Sequence, residues 1–122
     1  GFPEVEPVAA RFGASFELAG TLPSERDQNF LLSAGSVQKA AVLKVHNPSD
    51  DLAFVEMQNA ALERAAAAGA NCQRLLRTAE GETVVPLVPE GQAAPSLCRC
   101  LSFLPGRMLA EAAAEAASPE ER

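Results

Sequence analysis

The 122 residues fit a single domain, long enough to bury a modest hydrophobic core. With 10 lysines and arginines against 16 aspartates and glutamates, the net charge is −6; such a chain repels nucleic-acid phosphate and anionic lipid, so neither is expected as a partner. No apolar run approaches the roughly 18–20 residues that span a bilayer.

The opening Gly1-Phe2-Pro3-Glu4 lacks the basic and apolar regions of a secretory leader. The cysteines (Cys72, Cys98 and Cys100) are odd in number and do not form a disulfide framework. A reducing, cytoplasmic location is therefore expected.

In chain order, Glu4 to Phe12 reads as a short helix closed by Gly13. Ser15 to Leu22 reads as a strand with a weak point at Gly20, and Pro23 to Asp27 as a polar turn. Gln28 to Ser33 and Ala40 to His46 read as two further strands, joined by a turn at Ala34-Gly35-Ser36. The three make an antiparallel meander.

Asn47-Pro48-Ser49-Asp50 stops the sheet and supplies a helix cap. A long helix follows from about Asp51 to Ala68, with Gly69 as its stop. Val55, Leu62 and Ala65 line one stripe of it, flanked by Phe54, Met57 and Ala61, and Gln58 falls inside the stripe.

Gln73 to Arg77 is expected as a short strand, Glu82 to Val88 as an edge strand interrupted by Pro86, and Ser96 to Leu104 as the last strand. Pro105-Gly106 breaks that strand, and Leu109 to Ala117 begins a helix. The order predicts an α+β fold, an antiparallel sheet of about five strands with one long inserted helix.

Cys98 and Cys100 alternate with Arg99, which puts both thiols on one strand face. A metal site there would need two more ligands, and no partner pair is present. His46 invites an acid–base role, but His46-Asn47-Pro48 is not the His-x-Asp of a catalytic loop. Asp50-Asp51 reads as a helix cap rather than a metal site.

Four blocks carry a resemblance. Leu22 to Phe30 resembles the "LPS…DQNF" segment of hydroxylysine kinases. Val42 to Asn47 is similar to their "VLKI.N" strand, and Val55 to Asn59 to their "QN" helix position. Cys100 to Arg107 resembles their "LLTYLPGR" hinge. The blocks fall in order and cover most of the chain. The sequence thus resembles the N-terminal lobe of the aminoglycoside-phosphotransferase family, which is protein-kinase-like in fold.

The resemblance implies a nucleotide-binding lobe over residues 1–104. Residues 105–122 would leave the hinge and begin a helix leading to a C-terminal lobe beyond this chain. Lys44 would meet the phosphates of ATP or GTP with magnesium, and Gln58 would contact Lys44. Ser24 and Arg26, with neighbouring backbone N–H groups, would cover the phosphates. Asp27, Gln28 and Asn29 would brace that loop through side-chain to backbone bonds. Leu101, Ser102 and Phe103 would form the hinge that reads the base through its backbone.

No catalytic base and no magnesium ligands are found in this chain, so both would lie in the other lobe, and this chain alone should transfer nothing. The implied acceptor is the hydroxyl of a hydroxy amino acid or amino-alcohol, and the branch resembled points to hydroxylysine. The alternative is a non-catalytic docking or regulatory domain of a multidomain enzyme, such as a phosphotransferase fused to a class III aminotransferase. A face left bare by the other lobe would favour self-association.

Overall fold

The computed structural model describes residues 4–22 and 27–104. Its elements are α1 (Glu6–Phe12), β1 (Phe16–Leu22), β2 (Gln28–Ala34), β3 (Val37–Val45), α2 (Leu52–Ala67), β4 (Val85–Leu87) and β5 (Ser96–Ser102). They build the expected α+β architecture. The five strands form one antiparallel sheet in the order β1-β2-β3-β5-β4. Ser24, Arg26 and the expected helix start after Pro105 lie outside the described residues.

β3 is the middle strand because the meander places β2 on one side and the return from α2 places β5 on the other. A central strand is covered on both faces, so its sequence should be apolar almost without interruption. Ala41, Val42, Leu43 and Val45 are all buried accordingly. Between Ala41 and Val45, Lys44 alone breaks the run.

One face of the sheet carries the hydrophobic core. Phe30 and Leu32 of β2, Ala41, Leu43 and Val45 of β3, Val85 of β4, and Cys98 and Cys100 of β5 pack together. α1 closes this face. Its buried residues Val8, Ala9 and Phe12, with Val5 just before it, recur at the three- and four-residue spacing of an amphipathic helix. Gly13 ends α1 in extended conformation, not left-handed. A Cβ there would stand 2.8 Å from the Phe16 ring, so close ring packing is what requires glycine.

α2 lies on the opposite face. Its N-cap is Asp51, whose Oδ1 accepts the Phe54 N–H at 2.8 Å. At its other end Gly69 has φ +90, and the Ala70 and Gly69 N–H groups donate to Ala65 and Ala66 carbonyls. That is a Schellman stop, which needs a left-handed residue where glycine stands. Val55 and Asn59 are buried, one helical turn apart, and Gln58, Leu62 and Ala65 are half-buried beside them. Phe54, Met57 and Ala61, expected to flank the buried stripe, are exposed.

The expected strand from Gln73 to Arg77 contributes only one bridge, Leu75 to Leu101. The outer edge of β5 is shared by two short pieces. Residues 74–76 pair with its C-terminal half, while β4 pairs with Cys98, Leu97 and Ser96. The Arg74 N–H donates to the Ser102 hydroxyl, which ends the first ladder. β4 shrinks to Val85–Leu87 around Pro86, which can sit at a sheet edge because it has no N–H to offer.

All three thiols are free. Burial pushes Cys98 and Cys100 up to about 12, so neither forms thiolate near neutral pH. Cys72 is half-buried in the loop after α2. A thiol-reactive chromophore at pH 8 should therefore label one cysteine of the native chain promptly, at Cys72. The other two should react only on unfolding, as mass spectrometry of the digest will check.

Candidate functional site

The polar residues of interest lie on the α2 face of the sheet. Strand register puts Asn29 of β2, Lys44 of β3 and Arg99 of β5 directly abreast. Direct partners on antiparallel strands project to the same face, so three polar side chains form one row under α2. Thiols turned to the core turn Arg99 the other way.

Arg99 is 8% exposed and its guanidinium spreads across three neutral acceptors. Nε donates to His46 Nε2 at 3.1 Å, one terminal nitrogen to Asn59 Oδ1 at 3.0 Å, and the other to Gln58 Oε1 at 3.3 Å. One arginine thus fastens α2 to the sheet. Gln58 does not meet Lys44, as the resemblance implied; its amide oxygen goes to Arg99. The reason is geometric, because the β5 residue on this row reaches the helix with a fork that takes both adjacent amides.

The same fork fixes the state of His46. A guanidinium can only donate, so Nε2 must accept and the ring proton sits on Nδ1. Nδ1 then donates to Asp50 Oδ2 at 3.1 Å, with Asp27 Oδ2 at 3.8 Å. Burial holds the His46 pKa below its ordinary value of 6.5, and Arg99 adds to that against the pull of Asp50. Asp51 therefore caps α2, while Asp50 belongs to this cluster.

Lys44 Nζ stands 3.4 Å from Asp27 Oδ2 and 3.5 Å from Asn29 Oδ1. Its side chain is 22% exposed. Burial lowers its pKa, Asp27 opposes that, and neighbouring Arg99 lowers it further. Both contacts are longer than the 2.7–2.9 Å or so of a firm charge-assisted bond. The ammonium is thus a partly wet cation held loosely. Asp27 also accepts the Asn47 N–H at 3.0 Å, a side-chain to backbone brace of the kind expected for this segment. Glu56 and Glu63 of α2 are exposed, and Glu63 pairs with Arg77 instead.

Asp27, His46 and Asp50 bring ligand atoms within 4.8 Å of one another, a spacing that could suit a metal ion. The hydrogen bonding argues otherwise. A cation on Nδ1 would expel its proton and require one on Nε2, where the Arg99 N–H already points. Lys44 beside Asp27 adds repulsion. The trio reads as the anionic half of a balanced charge cluster.

Leu101 is buried on the α2 face, between Val42 on β3 and the Leu75 bridge. The Ser102 N–H donates to the Arg74 carbonyl, and its carbonyl accepts from Gln73 Nε2. The Phe103 N–H donates to the Ala40 carbonyl, and its ring lies 5.7 Å from Lys39 Nζ. The backbone donors of Ser102 and Phe103, expected to face a base, are thus engaged within the sheet. The Gln73–Leu76 segment, lying along the edge of β5, takes up the Ser102 groups.

Arg99, Asn59, His46 and Asp50 were not singled out as site residues by the sequence. The available signal was Arg99 itself, a charge in the middle of an apolar strand. No family model, curated protein or solved structure matches this chain.

Two outcomes follow from this cluster. Arg99→Lys keeps the charge but loses the fork, leaving two of its three acceptors unpaired. It should cost about 2 kcal/mol in chemical denaturation and speed amide exchange in α2. For His46, the native state binds fewer protons than the unfolded state. Stability is thus full above pH 6.5 and declines as pH falls through the lowered native value. His46→Gln should flatten that decline below pH 6.5, as read from melting temperature against pH.

Proposed function

We propose that this chain is the nucleotide-binding N-terminal lobe of a small-molecule phosphotransferase. The observation that carries the reading is Lys44. It is a half-wet ammonium on the central strand of a five-stranded antiparallel sheet, with a helix inserted after that strand. Phosphoryl transfer needs such a cation on a rigid support, because the reaction depends on positioning and charge neutralisation. The four sequence blocks that resemble hydroxylysine kinases run through the same elements.

In this reading ATP or GTP enters with magnesium, and Lys44 meets its phosphates. Ser24 and Arg26 cover them. The catalytic base and the metal ligands come from a C-terminal lobe, which also selects the acceptor, the hydroxyl of a hydroxy amino acid or amino-alcohol. The work belongs to a reducing cytoplasm, where Cys98 and Cys100 stay as buried thiols. The Ser102 and Phe103 donors are engaged within the sheet, so in this reading the hinge of Leu101, Ser102 and Phe103 has no free N–H at those two positions for the base.

That same engagement favours a second reading. A docking or regulatory domain with the shape of a kinase lobe needs no backbone donors for a base. It also needs no helix partner for Lys44, and Gln58 is turned to Arg99.

Nucleotide-induced thermal shift separates the two. Under the first reading, ATP or GTP at ten times its Kd stabilises the wild-type chain by about 1.4 kcal/mol, a rise of roughly 5 °C for a domain this small. Lys44→Ala should fold normally and lose the shift. No shift in the wild type, or an equal shift in the variant, would favour the docking domain.

A further inference from the structure

Among the described residues, Asp27 is the one carboxylate that touches Lys44. Its Oδ2 lies 3.4 Å from Nζ, and its side chain is 14% exposed. The other oxygen is committed elsewhere, accepting the Asn47 N–H in the turn between β3 and α2. Oδ2 also lies 3.8 Å from His46 Nδ1, whose proton goes to Asp50. Asp27 is therefore anchored by one oxygen and offers the other to Lys44. At 3.4 Å the Lys44 contact is longer than the 3.0 Å bond from Asn47.

An anion arriving at Lys44 meets this carboxylate first. Lys44 and Arg99 carry two positive charges, Asp27 and Asp50 two negative, and His46 none. Among the described residues these charges balance before anything binds. A phosphate on Lys44 would share the ammonium with Asp27 or replace it, at a separation where like charges repel strongly in a partly buried site. Arg99 is the poorer partner for it, since it is buried under α2 and each of its three nitrogens already donates to an acceptor.

We infer that Asp27 is a built-in competitor for the phosphate position, a carboxylate that holds Lys44 in the empty site and that polyphosphate must displace. This deepens the proposed function and rests on its assignment of Lys44. Asp27 thereby sets the affinity for the bare anion and tunes the site toward ligands that bring their own counter-cation. It acts through Lys44 and is a positioning residue.

Asp27→Asn is the direct test. The amide oxygen can still accept the Asn47 N–H, so the turn keeps its brace while the negative charge is removed. Calorimetric titration with inorganic tripolyphosphate, free of magnesium, should show affinity rising about ten-fold over wild type at low salt. That gain should shrink as salt is raised. Asp50→Asn removes an equal charge that does not touch Lys44, and its gain should be about two-fold. Lys44→Ala should abolish binding in both backgrounds.

Unchanged or weaker binding by Asp27→Asn, with Lys44→Ala still null, would overturn the competitor role and leave the Lys44 reading standing. Equal gains in the two aspartate variants would also overturn it, because overall charge would then suffice. Binding by Lys44→Ala at wild-type strength, or by no variant at all, would remove the Lys44 reading and this inference together. A melting temperature for Asp27→Asn within a few degrees of wild type confirms that the comparison is between folded chains.

Discussion

Two cations stand side by side on one row of the sheet. Lys44 and Arg99 are direct partners across β3 and β5, an arrangement that is unfavourable by itself. Burial worsens it, since desolvation penalises each charge, and Arg99 adds to the penalty on Lys44. The chain resolves the conflict unequally. Lys44 stays partly in water with a carboxylate and an amide oxygen at arm's length. Arg99 goes under α2 and is satisfied by neutral acceptors, with the nearby carboxylates acting through space. His46 must then stay neutral, because a protonated ring would both repel Arg99 and withdraw an acceptor from it. The state of one imidazole thus follows from a row of strand register.

That division separates two tasks which a single lysine–carboxylate pair would combine. Arg99 ties α2 to the sheet, and Lys44 remains loosely held. An acidic side chain at position 58 would be drawn to the guanidinium, which already lies 3.3 Å from the Gln58 oxygen. A neutral amide is therefore what the position can carry without redirecting the helix clamp. The position of α2 is set by a contact that does not include Lys44. A ligand on Lys44 would not need to rebuild the helix interface.

The sequence made the framework legible because periodicity reports local geometry. The meander, the long helix with Asp51 and Gly69 at its ends, and the central position of Lys44 all follow from patterns a few residues long. The alternation through Cys98-Arg99-Cys100 even assigns faces. What alternation cannot supply is which residue of another strand stands opposite. Lys44 meets Arg99 only because a helix and a long loop return the chain to the open edge of β3, and that pairing is long-range. The same limit explains residues 73–77. Their apolar content reads as a strand, yet β4 occupies part of the same edge of β5, leaving room for a single bridge. His46 and Asp50 show it again, since their roles depend on Arg99, more than fifty residues from His46 along the chain.

Neutrality of the cluster constrains what can bind. The described groups around Lys44 already balance, so this face folds without a ligand to complete it. A nucleotide triphosphate would add several negative charges to a chain whose net charge is already −6. Lys44 alone cannot offset them, and Arg99 is buried under α2 with each of its nitrogens already bonded. The remaining positive charge has to arrive with the ligand or from outside the described residues. A divalent cation travelling with the phosphates supplies part of it, and Arg26, next to Asp27 in sequence, could supply more. In the proposed reading, then, the sheet offers one loosely held ammonium and a guarding carboxylate. That pair discriminates against a naked polyanion and favours one already partly neutralised by its metal.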